Sequence, residues 1–377
     1  MPIDLTSLAL LAGLFFGAVI GDAALFGDPL RVQMGVPTEL NDAGFTEQAA
    51  EQIFANEVAR IGEVLSVVPT PSVEVSSSPS IFAAIAKPLN LEDLVVTLQR
   101  RAGRDVVEIE GHVMRSPDGK GLVMMITAVK PGELPISVLL QQPDGNPVAL
   151  VQHASKEVLA RLSPYRVALT EFAALLRGDK AAMDRVREVA EAALARPWTA
   201  HRATERVMLF NLLGVTALIQ GDIAGSQQQF DRGLDSPGGV SAARAGILLN
   251  RSFVALVQRR PDEALDYYKQ SLAESRNFKL AGYESRMATT AALIAWGMGD
   301  TRQAEDDLRL AVTMSPDNHM AYYYLARLLA AKGDDAGAAA MRRAAAALPR
   351  FDLDFPGLAI SELMLDPLTG GLDLRPR

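Results

Sequence analysis

Between residues 30 and 140 the apolar positions fall in two rhythms. Leu30, Val32, Met34 and Val36 alternate with their neighbours, the period of a strand with one buried face, and Pro37 closes the run. Residues 41–46 read as a turn whose last member, Thr46, caps a helix over 47–65. Along that helix Ala50, Ile53, Phe54, Val58, Ile61 and Leu65 recur at helical spacing. Pro69-Thr70-Pro71 breaks the chain, 73–75 suits a short strand, 76–79 is a loop, and 91–101 is a second amphipathic helix capped by Asn90. Three strand-like runs follow at 105–114, 122–129 and 136–140, the first two joined by the hairpin signal Ser116-Pro117-Asp118-Gly119. The mixture predicts an α+β module, helices layered on a mainly antiparallel sheet.

Beyond residue 160 the rhythm is helical, and it repeats. Five junctions share one plan: Leu175-Leu176-Arg177-Gly178-Asp179, Leu218-Ile219-Gln220-Gly221-Asp222, Gln258-Arg259-Arg260-Pro261-Asp262, Trp296-Gly297-Met298-Gly299-Asp300 and Ala331-Lys332-Gly333-Asp334. Glycine at a helix end takes the left-handed conformation that closes the last carbonyls, and the aspartate after it caps the next helix. The third junction puts Arg259 where the others have glycine, and its Pro261 suits the first turn of the following helix. Gly178, Gly221, Arg259, Gly299 and Gly333 are separated by 43, 38, 40 and 34 residues.

The residues between the junctions resemble the tetratricopeptide (TPR) repeat family. The second hairpin carries Phe210, Leu213, Gly214, Gly221, Phe230 and Pro237, and the third Ala255, Ala264 and Tyr268. Ala295, Gly299, Ala304, Leu308, Ala311 and Pro316 follow in the fourth, then Tyr322, Leu325, Ala326, Gly333, Ala338, Ala345 and Pro349 in the fifth. The first hairpin, over 164–194, fits the pattern only loosely. The resemblance implies an all-α solenoid of about five helical hairpins whose first helices line a concave face that takes peptide segments or protein surfaces. On that face Asn211, Asn250, Arg251, Arg286, Tyr323 and Arg327 are the candidate partner-binding residues, with Thr216 and Thr290 beside them. They are taken as positions not needed for packing. Asn and Arg there suit a peptide backbone or a carboxylate.

At the other end, residues 5–20 carry no charge, and the run reaches bilayer length only if extended to Phe26 past Asp22. A single transmembrane helix over 5–26 is the preferred reading; a cleaved signal peptide and a buried core helix are the alternatives, the former weakened by the lack of a basic start. The expected organisation is therefore a membrane anchor over 1–27, the small α/β module over 28–160, TPR-like repeats over 161–350, and a capping helix and tail over 351–377. That order is similar to some membrane-tethered repeat proteins of proteobacteria. It implies a bacterial inner (cytoplasmic) membrane protein, and the lack of cysteine favours a soluble part in the periplasm.

Charge and composition narrow the function. The chain has 37 basic and 45 acidic residues in 377, a net −8, and no basic block, which argues against nucleic acid as partner. It has no cysteine, so thiolate nucleophiles, disulfides and Cys-based zinc sites are excluded. His112 and His153 have no companions at metal-ligand spacing, Gly119-Lys120-Gly121 is too short for a phosphate loop, and Glu108 and Glu110 share the solvent face of a strand. No cofactor, metal or catalytic set is expected. The expected function is a non-catalytic scaffold that recruits protein partners through its repeats; the alternative is a ligand-sensing regulator with the α/β module as sensor.

Overall fold

The computed structural model describes residues 30–62, 107–117, 119–130, 133–176, 179–198, 202–239, 241–276 and 283–348. The expected anchor at 5–26, the strand at 73–75, the helix at 91–101 and the tail at 351–377 lie outside these residues. Among the described residues no helix is long and apolar enough to cross a membrane. Contacts divide the chain into two compact units, with the change between Val167 and Ala168. The architecture is α+β: a small four-stranded sheet in the first half and helices throughout the second.

The first unit opens with β1 (Leu30–Gly35), the short α1 (Thr38–Asp42) and α2 (Glu47–Gly62). Thr46 Oγ1 accepts a hydrogen bond from the Ala49 amide at 3.1 Å, the cap its sequence position predicts. Next come β2 (Val107–Arg115), β3 (Leu122–Val129), β4 (Ile136–Gln142) and α3 (Pro147–Leu162). The strands lie in the order β1-β2-β3-β4, β1 parallel to β2 and the other pairs antiparallel. Alternation decides what each strand buries: Ile109 and Val113 of β2, Met124 and Ile126 of β3 and Val138 of β4 point into the core. Phe54, Val58 and Ile61 of α2 and Leu150, Ala154 and Val158 of α3 supply the helical side of that core. Glu108 and Glu110 fall on the opposite, exposed face.

The second unit takes in most of α4 (Pro164–Leu176) and then α5 (Ala182–Leu194), α6 (Ala203–Ile219), α7 (Ile223–Leu234), α8 (Ser241–Val257) and α9 (Pro261–Ser275). It continues with α10 (Tyr283–Gly297), α11 (Thr301–Met314), α12 (His319–Ala331) and α13 (Asp335–Ala347). Packing is pairwise and sequential: α6 with α7, α8 with α9, α10 with α11, α12 with α13, each pair also touching the next. Arg185 of α5 ties α4 through Glu171 at 2.7 Å.

The junctions close as their residues dictate. Gly221, Gly299 and Gly333 sit at φ +80°, +93° and +82°, and Arg259 takes the same left-handed place at φ +60°. At each, two backbone bonds fold over the helix end: Gly221 N–H to Leu218 O and Asp222 N–H to Ala217 O, both 3.0 Å, are typical. The next helix then starts on the aspartate. Asp222, Asp300 and Asp334 accept from the amides of Gly225, Gln303 and Gly337 at 2.8, 3.0 and 2.8 Å. At the third junction no side chain caps, and Pro261 occupies the first turn.

Candidate functional site

The first helices of successive pairs lie against one another, α6 on α8, α8 on α10 and α10 on α12. This decides the fate of the polar residues expected to face a partner. Asn211 of α6 and Asn250 of α8 are 9% and 7% exposed, and Asn250 Nδ2 donates to Asn211 Oδ1 at 2.8 Å. Arg251, also buried, stacks on the Tyr267 ring at 4.8 Å and donates to its hydroxyl, with Asp231 Oδ1 at 3.5 Å. The expectation that these three are free of packing is corrected: each is built into the helix stack. The physical reason is that a first helix between two others is covered on nearly every side; in α6, fourteen of seventeen residues are buried. Thr216 and Thr290 return their hydroxyls to their own helix, to Leu212 O at 2.8 Å and Arg286 O at 3.0 Å.

The remaining candidates reach the surface in part. Arg286 is half-buried; loss of hydration pulls its guanidinium down to about 10, and the nearby Tyr283 phenol works the other way. It stays charged at neutral pH, and part of its side chain packs while part reaches the surface. Tyr323 and Arg327 are half-buried neighbours on α12, the guanidinium carbon 5.8 Å from the ring centroid. Of the three consecutive tyrosines, Tyr324 is the core member: fully buried, its phenol pushed well up by burial, its ring edge-on to Tyr323 at 5.5 Å.

Reading by polar first-helix positions missed a second feature, between the third and fourth pairs. Leu272 of α9, Leu310 and Met314 of α11 and Met287 and Ala291 of α10 line a groove of about 450 Å³, with the Asp307 carboxylate among them. A signal for it exists in the sequence: Leu272, Leu310 and Met314 fall outside the small and aromatic positions that the repeat pattern uses for packing.

Elsewhere the chemistry is sparse. His112 Nε2 lies 3.0 Å from Glu110 Oε1 on the exposed sheet face. Among the described residues no cluster of three His, Asp or Glu is placed to hold a metal ion. Compared with protein-family models and with curated protein sequences, the chain matches none.

Proposed function

We propose that the chain is a membrane-anchored, non-catalytic scaffold that holds protein partners on a TPR-like solenoid. One observation carries the reading: the same helix-closing turn recurs at Gly221, Arg259, Gly299 and Gly333, each between two helices that pack as a pair. A chain built from one repeated turn and pairwise packing presents an extended, adjustable surface rather than a single enclosed pocket. In this reading residues 5–26 hold the chain in the inner membrane with its soluble part in the periplasm.

Partners dock along the first-helix face through Arg286, Tyr323 and Arg327. Asn211, Asn250 and Arg251 act there as the buried frame that sets helix spacing. Two arginines on successive first helices, in a chain of net −8, favour an acidic segment or a terminal carboxylate. The test is affinity capture from membrane extract with the full chain and with Arg327→Ala and Tyr323→Ala, using helix content by circular dichroism as the folding control. Capture of defined partners by the full chain, lost in both variants, is the expected result. Equal recovery by all three proteins would remove the first-helix face from the reading, and full solubility of the chain without detergent would remove the anchor.

A further inference from the structure

The groove between α9, α10 and α11 combines two properties. Its walls are apolar and open to water: Leu272, Leu310 and Met314 are 43%, 50% and 45% exposed, large side chains that a solvated helix face does not need. Among them lies a carboxylate without a cation. Asp307 accepts one hydrogen bond, from Gln303 Nε2 at 2.9 Å, and among the described residues no basic side chain pairs with it.

The contrast with its neighbour on the same helix is direct. Glu305 is gripped by Lys332 at 2.5 Å and by Arg309 at 2.8 Å, which hold its carboxyl below the usual range. Asp307 goes the other way: partial burial raises it against the lowering effect of the Gln303 bond, and the charges of Asp306 and of the capping Asp300 add to the rise. Arg276 and Glu284 also line the groove and offset one another, so Asp307 sets its net charge. The Tyr268 phenol beside it is raised by burial and by the Asp307 charge, which places both groups in the same poorly hydrated corner.

We propose that this groove docks a basic amphipathic helix from a protein partner, its apolar side chains seated between Leu272, Leu310 and Met314 and one lysine or arginine reaching Asp307. The proposal deepens the scaffold reading and rests on it, but it uses the cleft between the third and fourth pairs, lined by α9, α10 and α11, rather than Tyr323 and Arg327 of α12. The chemistry fits term by term. An amphipathic helix of three to four turns presents apolar side chains at i, i+3 and i+4, spacing that suits an apolar groove between helices. A cation delivered to a partly buried carboxylate makes a charge-assisted bond stronger than the amide bond present now.

The experiment uses the purified full chain and two labelled probes. One is an amphipathic peptide of about four turns made of leucine and lysine; the other has every lysine replaced by glutamate. Fluorescence anisotropy at physiological salt should show saturable binding of the lysine peptide and at least tenfold weaker binding of the glutamate peptide. Asp307→Asn should weaken the lysine peptide by about tenfold, and Leu310→Ser should weaken it comparably. Asp306→Asn, the same charge change on an exposed residue outside the groove, should leave it unchanged. Equal loss in Asp306→Asn and Asp307→Asn would mean bulk attraction to an acidic protein and overturn the proposal, as would no saturable binding to the wild-type chain. A dimeric wild type that Leu310→Ser renders monomeric would give the groove to a second copy instead and overturn it too. Affinity capture separates the two readings. Partners recovered without peptide binding remove the groove alone, and peptide binding without any recovered partner removes the scaffold reading.

Discussion

The two units bury the same kinds of aliphatic side chain and differ in what they bury beside them. Among the described residues of the sheet unit the polar groups of the core are few, and the Ser155 hydroxyl goes to its own helix, to Val151 O at 2.6 Å. In the hairpin unit buried hydroxyls and amides cross from helix to helix. Ser252 of α8 donates to Ala264 O of α9 at 2.8 Å, and Ser271 of α9 donates back to Ala245 O of α8 at 2.8 Å. Ser285 of α10 donates to Ala311 O of α11 at 2.7 Å, and Asn318 Nδ2 donates to the Ser285 hydroxyl at 2.7 Å and to Thr289 at 3.1 Å. The difference follows from where backbone hydrogen bonds go. A sheet spends them between strands, so register comes with the ladder. A helix spends them on itself, and nothing in its backbone fixes its position against the next. In the hairpin unit side chains must supply that register, by small residues that set the distance and by polar groups that bond across it.

The hardest break of this comparison removes a spacer. Gly214 of α6 lies so close to α7 that a Cβ there would meet the Phe230 ring at 2.4 Å, and Phe230 is fully buried. Phe230→Ala should cost about 3–5 kcal/mol, and by hydrogen exchange the amides of α6 and α7 should lose protection together. Phe54→Ala in the sheet unit removes a ring just as buried and should cost a similar amount. There the β2–β3 amides should keep their relative protection, because the ladder and not the ring sets their register. Loss of β2–β3 protection in the same measure would end the distinction.

A milder break adds volume where the helices touch. Ala264 and Ala304 are fully buried second-helix residues, and the Ala264 carbonyl takes the Ser252 hydroxyl. Ala264→Leu and Ala304→Leu should each overpack a pair and cost roughly 1–3 kcal/mol. Unchanged denaturant midpoints in both would count against the pairing of helices described above.

What the sequence made legible is what local chemistry determines. The Gly-Asp junctions at Gly221, Gly299 and Gly333, the Thr46 cap and the β3 limits depend on residues within a few positions of one another, and each appears as its composition predicts, while Gly178 of the first junction lies outside the described residues. Even Arg259, standing in for glycine, could be placed by register alone. The fate of Asn211, Asn250 and Arg251 was not legible. Helical spacing tells which face a residue occupies, but whether another helix covers that face depends on partners 39 residues away, as in the Asn250–Asn211 bond. The groove shows in the sequence only as apolar residues outside the repeat pattern: its walls come from three helices, and nothing local marks Leu310 as a neighbour of Leu272.

The asparagine pair sharpens the comparison at smaller cost. Asn250→Ala strands the Asn211 amide in a buried site and should destabilise by roughly 1–3 kcal/mol. Replacing both with leucine removes the unmet polar groups together, so the double variant should recover part of that loss unless the added volume overpacks. Ser155→Ala in the sheet unit, where the hydroxyl bonds only within α3, should stay within about 0.5 kcal/mol of wild type. Urea midpoints for these variants decide it: an Asn250→Ala value as small as Ser155→Ala would show that the cross-helix bond sets nothing.

The smallest expected effect lies at the junction that departs from the others. Arg259 holds φ +60° where its described counterparts Gly221, Gly299 and Gly333 are glycine, and it makes the same closing bonds, Arg259 N–H to Leu256 O and Arg260 N–H to Ala255 O, both at 2.9 Å. A side chain in the left-handed region costs about 1–2 kcal/mol per residue relative to right-handed backbone. Glycine avoids that cost and gives back some of the gain through the greater freedom of its unfolded chain. Arg259→Gly should therefore stabilise by about 0.5–1 kcal/mol. The mirror experiment is Gly333→Ala, where φ is +82° and an added Cβ would meet nothing within 4 Å, so only the backbone term is read. It should destabilise by about 1 kcal/mol. The two shifts should have opposite signs in chemical denaturation of the full chain. A destabilised Arg259→Gly would mean that the arginine side chain contributes contacts worth more than the strain, and that the third junction is held by something other than the turn it shares with its neighbours.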